Sequence, residues 1–126
     1  MARKKSSSLT DAELRLMEVL WERQSGTVSE VVDGVSKEAP LAYSTVLTTL
    51  RILENKGYIQ HEKDGRAFVY RPLVGRDQAR ESAVAHLVRR FFAGSPELLV
   101  LNLIQSSGID ADELARLRKR IEKEKK

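Results

Sequence analysis

Apolar residues recur at helical spacing near the start of the chain: Leu14, Met17, Leu20 and Trp21 stand among charged neighbours, which predicts a helix from about Asp11 to Arg23. Thr10 followed three residues later by Glu13 is a capping box that fixes its beginning. After Gly26 the pattern repeats in miniature, with Thr27 and Glu30 as a second capping box and Val28, Val31, Val32 and Val35 as the apolar stripe of a short second helix. Ala39-Pro40 then breaks the chain, because the proline ring restricts the residue before it and cannot continue a helix.

Residues 42–51, AYSTVLTTLR, hold three threonines and a serine and lean toward strand by propensity. Periodicity points the other way. Val46, Leu50 and Leu53 fall at i, i+4 and i+7, and Gly57 stands ready to end the helix after Lys56. A strand would instead put Leu50 and Ile52 on one face with Ser44 and Thr48. As a helix, the segment projects Ser44, Thr48, Arg51 and Asn55 opposite the apolar stripe, with Thr45 on the flank and Thr49 near the core boundary.

YIQHEKDGRAFVYRP follows, where Asp64-Gly65 signals a hairpin turn between two runs in which Ile59, Phe68 and Tyr70 occur in alternating patterns. Pro72 stops the second strand, and composition changes at Gly75. A long amphipathic helix is then predicted from Arg76 to about Phe92, with Ala79, Ala83, Leu87 and Phe91 as one stripe. Ser95-Pro96 caps and opens ELLVLNLIQ, apolar nearly all round except for Asn102. Asp110 and Glu113 begin a last helix that turns Leu114, Leu117 and Ile121 inward and ends in lysines.

The 126 residues fit one ordinary domain or two small modules, either with a thin core, so self-association is attractive on size alone. A net charge of +4 gives a mild basic excess, which serves solubility as readily as an anionic partner. With no cysteine, disulfides, zinc-thiolate sites and cysteine nucleophiles are excluded, and a cytoplasmic location is the default. No apolar run reaches the ~18 residues of a membrane span, and MARKKSSSLTD lacks the apolar stretch of a secretory signal, so no membrane insertion is expected. His61 and His86 lie on different elements without the paired spacing of a metal site, and no metal or cofactor is expected. No phosphate-binding loop or nucleophile elbow is present, which argues against an enzyme.

Three helices and then a hairpin is the order of a winged helix-turn-helix DNA-binding domain, giving a mainly α fold. A major groove admits one helix, and serine, threonine and arginine can read base edges there. The candidate base-reading residues are therefore Ser44, Thr45, Thr48, Thr49 and Arg51, with Tyr43, Lys63 and Arg66 set for the DNA backbone and Arg71 at the base of the same cationic finger. Each piece also has a plainer reading as a solvated face. Trp21 and Tyr58 fall with the apolar pattern of their elements and read as core. The expected layout is a disordered basic arm over residues 1–8, a winged-helix domain over 9–74 and a helical dimerisation region over 75–126. Dimerisation would rest on Leu87, Phe91, Leu98, Leu101, Ile104 and Leu117, because the apolar fifth helix exceeds what a three-helix tail can cover. The competing class is a winged-helix adaptor that binds protein without reading DNA.

LTDAELRLMEVLWE, AYSTVLTTLRILENKGYI, HEKDGRAFVYRPLV and RRFFAGSPELLVLNLIQ, in this order, resemble the BlaI/MecI-type transcriptional repressors over about residues 9–122. That resemblance implies a homodimer on a palindromic double-stranded DNA operator, repressing transcription until a signal removes it. It further implies release through a membrane sensor whose protease action leads to cleavage in the dimerisation helix, after an asparagine followed by phenylalanine. The matching pair here is Asn102-Leu103, and this asparagine reads equally well as a polar residue fixing helix register. A copper-responsive branch uses a C-terminal cysteine cluster, which this chain lacks. Ile52 stands where relatives often carry arginine, beside Arg51, so the operator sequence is expected to differ.

Overall fold

The computed structural model describes residues 8–125, so all of the expected basic arm except Ser8 lies outside the described residues. The chain divides into two compact units, one ending at His86 and the other beginning at Leu87.

In the first unit, α1 (Asp11–Arg23), α2 (Val28–Val35) and α3 (Tyr43–Lys56) precede a hairpin of β1 (Ile59–Asp64) and β2 (Ala67–Pro72). The arrangement is a winged helix-turn-helix. Both expected capping boxes form: the Glu13 N–H donates to Thr10 Oγ1 at 3.1 Å and the Thr10 N–H to Glu13 Oε1 at 3.0 Å, with the same reciprocal pair between Thr27 and Glu30. The backbone N–H of Thr27 is the main reason the Glu30 carboxyl is held below its ordinary pKa, with Arg23 adding to the effect. The end of α2 is closed from outside, by the Arg15 guanidinium donating to the carbonyls of Val35, at 3.0 Å, and Ala39.

Leu16, Met17 and Leu20 of α1, Val28, Val31 and Val35 of α2, and Val46, Leu50 and Leu53 of α3 form the core with Tyr58, Ile59, Tyr70 and Val74. One expectation for α1 needs correction. Leu14 is 40% exposed and Leu16 takes the core position, because Leu16, Met17 and Leu20 share one face and Leu14 lies well round the helix from Leu16. The helix expected over AYSTVLTTLR forms and ends at Gly57, whose φ of 89° is the left-handed conformation of a C-cap.

The hairpin pairs Ile59 with Pro72 through Asp64 with Ala67, so its two-residue loop is Gly65-Arg66 rather than the expected Asp64-Gly65. Gly65 adopts φ of +64°, as the first position of such a turn requires. The loop between α1 and α2 adds a single bridge on the far edge of β2, with Gly26 and Tyr70 exchanging both backbone hydrogen bonds at 3.0 and 2.8 Å. The first turns of α4 (Arg76–Phe91) belong to this unit, tied through the Trp21 Nε1–H donating to the Val74 carbonyl at 2.9 Å and an Arg76–Glu18 ion pair at 2.9 Å.

In the second unit, the rest of α4 is followed by α5 (Pro96–Ser107) and α6 (Ala111–Glu124). Ser95 caps α5 ahead of Pro96, and Asp110 with Glu113 forms a third capping box. Neither α5 nor α6 has a buried residue. No helix among the described residues is long and apolar enough to cross a membrane.

The close approach of α2 to α1 depends on Gly34, where an added Cβ would lie 2.6 Å from Val19 Cγ1. A β-branched helical side chain cannot easily turn away. Gly34→Ala should gain up to about 1 kcal/mol of helix propensity and lose about 1–3 kcal/mol to overpacking, for net destabilisation in urea denaturation. In a Val19→Ala background the same change should become neutral or stabilising.

Candidate nucleic-acid interface

The outward side of α3 is set by its inward one. Val46, Leu50 and Leu53 are fully buried, so Ser44, Thr45, Thr48 and Arg51 come out exposed, with Tyr43 exposed at the first turn. Ser44, Thr45, Thr48 and Arg51 lie along one hydrogen-bonding side of the helix, and Tyr43 stands at its edge. Thr49 does not join them. It is 8% exposed and its hydroxyl donates to the Thr45 carbonyl at 2.7 Å, so the base-reading role expected of Thr49 is withdrawn. A threonine on the core boundary satisfies its hydroxyl on the preceding turn.

The hairpin stands beside this face. Lys63 and Arg66 are exposed toward its tip, together with Asp64. Arg71, at the base, pairs with Glu62 at 3.1 Å, so its charge is partly answered within the wing. Among the described residues, Arg51, Lys63 and Arg66 take part in no ion pair. Three cations without acidic partners thus border one helix face, and such charges are available to phosphates.

Sequence reasoning did not anticipate Thr27, Ser29 and Phe68. These line an open groove with Tyr43, Arg51 and Arg66, between the start of α2, the outer side of α3 and the wing. The Thr27–Glu30 capping box was the available signal, since it fixes where the start of α2 presents its backbone N–H groups. Phe68 carried no signal, because its exposure depends on how the hairpin is set against α3.

At the base of the wing, His61 Nδ1 meets both carboxylate oxygens of Glu54, at 2.9 and 2.7 Å. The imidazole also packs against Phe68 and Tyr70, with ring centroids 4.8 and 5.4 Å away. Burial, then the nearby Glu54 carboxylate, raises the Tyr70 phenol above its ordinary pKa, and burial followed by Glu13 does the same for Tyr58. Among the described residues no group of three or more histidine and acidic side chains could hold a metal ion.

Within the second unit, Leu87, Phe91, Leu98, Leu101 and Leu117 are exposed and Ile104 is half-buried. Asn102 and Leu103 are exposed in the middle of α5, where the Ser106 hydroxyl donates to the Asn102 carbonyl at 2.6 Å.

Comparison with known proteins agrees along nearly the whole chain. The penicillinase repressor family matches residues 9–123. The penicillinase repressor of Bacillus licheniformis is 32% identical over 122 residues, covering 97% of this chain and 95% of that one. The solution structure of the DNA-binding domain of the repressor BlaI is 37% identical, with a TM-score of 0.53, covering 60% of this chain and 92% of that one. The Bacillus licheniformis BlaI monomer, solved in complex with the blaP half-operator, is 35% identical with a TM-score of 0.51 over 61% of this chain and 93% of that one. With a family match that runs from the start of α1 through almost all of α6, the chain belongs to the penicillinase repressor family.

Proposed function

We propose that the chain is a homodimeric, sequence-specific DNA-binding repressor that holds a palindromic operator with two winged helices. It is a transcriptional repressor, as its family is, and not an enzyme. The observation that carries the finer reading is the outward face of α3, hydrogen-bonding and bordered by Arg51, Lys63 and Arg66 without acidic partners. In this reading Ser44, Thr45, Thr48 and Arg51 read base edges, while Tyr43, Lys63 and Arg66 hold the sugar-phosphate backbone. The related BlaI in complex with a half-operator supports double-stranded DNA as the partner. The protein acts in the cytoplasm, where that DNA is.

Dimerisation is supported by the apolar side chains that the second unit leaves exposed, among them Leu87, Phe91, Leu98, Leu101 and Leu117. A two-fold pair of winged helices about one DNA turn apart, ~34 Å, would require inverted half-sites. Release by a sensor-linked protease acting between Asn102 and Leu103 is the accompanying proposal, supported by the place of the pair in the middle of α5, where a cut divides the apolar helix.

In duplex binding by fluorescence anisotropy, Arg51→Ala should weaken or relax sequence preference, by about 1–3 kcal/mol if the contact is bidentate to a base. Lys63→Ala and Arg66→Ala should lower affinity for all sequences and flatten the salt slope by about one unit each per protomer. A wild-type salt slope near zero would favour the adaptor reading instead. Leu101→Glu should raise the dimer dissociation constant by at least about tenfold in sedimentation equilibrium, because burying a carboxylate in an apolar interface is costly. Mass spectrometry of the induced protein should find a fragment ending at Asn102, and an intact chain in derepressed cells would remove the cleavage proposal.

A further inference from the structure

We propose that the contact between His61 and Glu54 is a clamp that sets the wing against the reading helix, making both of them positioning residues for operator binding. The proposal rests on the DNA-binding reading above.

The wing is a two-stranded hairpin in which every residue from Gln60 to Phe68 is exposed. Such a hairpin has little stability of its own, so its direction is decided where it is anchored. One anchor is the Gly26–Tyr70 bridge on the far edge of β2. A second is the burial of Ile59 and Tyr70 in the core, and a third is His61, third residue of β1, whose Nδ1 is 2.9 and 2.7 Å from the two oxygens of Glu54. Packing of the imidazole on Phe68 and Tyr70 fixes its orientation toward α3.

Glu54 is three residues beyond Arg51 on α3, so the clamp joins the wing to the helix that carries the reading face. Lys63 is two residues beyond His61 on β1 and shares its face, opposite Phe68, while Arg66 occupies the turn. A swing at His61 therefore moves both wing cations relative to Arg51.

The test uses the full chain and the duplex that the wild-type protein best retains from a randomised pool. His61→Ala should weaken binding by about tenfold and flatten the salt slope by about two units per protomer, the loss expected when Lys63 and Arg66 both leave their phosphates. Added to a Lys63→Ala/Arg66→Ala double variant, it should change affinity by less than about twofold, since coupled residues are not additive. Glu54→Ala should flatten the slope as His61→Ala does. His61→Asn places an amide N–H where Nδ1 was and should keep the wild-type slope. A purely structural role would lower the active fraction in a stoichiometric titration while leaving the slope of the active molecules unchanged, and that result overturns the clamp. Full additivity with the Lys63 and Arg66 changes overturns it as well. If the wild type retains no duplex, the DNA-binding reading falls and the clamp with it; if it does and the His61→Ala slope is unchanged, the clamp alone falls.

Discussion

Burial of Val46, Leu50 and Leu53 decides the rotation of α3 about its own axis, and with it which side chains any partner of this helix can meet. Each of the three is fully enclosed by α1 and α2 residues and the base of the hairpin. Full burial of such a side chain contributes about 1.5–3 kcal/mol, so turning the helix to present another face would forfeit a free energy comparable with the whole stability of a small domain. The hydroxyls of the segment weaken helix propensity by only tenths of a kcal/mol each. Burial wins, and the segment with strand-like composition becomes a helix.

The remaining ties hold the C-terminal end of that helix and the base of the wing. Glu13, capping α1 and only 4% exposed, takes the Lys56 ammonium at 2.7 Å, and Lys56 also donates to the Ser8 carbonyl, so the start of α1 and the end of α3 close on one another. Removing the lysine would leave a nearly enclosed carboxylate with only its cap partner, a costly state. The Gly26–Tyr70 bridge does the equivalent for the wing, giving β2 backbone partners on both edges over the one stretch where it meets the helices. These links use residues far apart in sequence. Together they make α3 and the base of the wing parts of one packed body.

What could be read from the sequence was what local chemistry decides. The three capping boxes, the Ser95-Pro96 start of α5 and the left-handed Gly57 cap all form, because each needs only residues within one turn. The inward stripe of α3 was legible because its period is unambiguous. Leu14 was misplaced because amphipathic spacing alone does not tell which neighbouring stripe meets the core. Thr49 failed for a related reason: a boundary position is exposed or buried according to how closely the next element packs. The Gly34–Val19 approach and the His61–Glu54 contact carry no sequence signal, since both arise only when separate elements are brought together.

The apolar faces of the second unit bear on assembly. A helix as apolar as α5 leaves Leu98, Val100, Leu101 and Leu103 in contact with water when the chain is alone, at a cost of about 25 cal/mol for each Å² of apolar surface. In the dimer we propose, a second copy supplies the same faces and covers them, and a two-fold interface needs no other partner to be self-complementary. Asn102 then has a definite consequence. A polar side chain in such a helix stays hydrated only while its surroundings are open, and in a closed interface it must find a partner, which favours registers that pair it and disfavours those that do not. The same residue that would fix register would also mark where cutting the helix separates the two copies, so the two readings of Asn102 are compatible in one molecule.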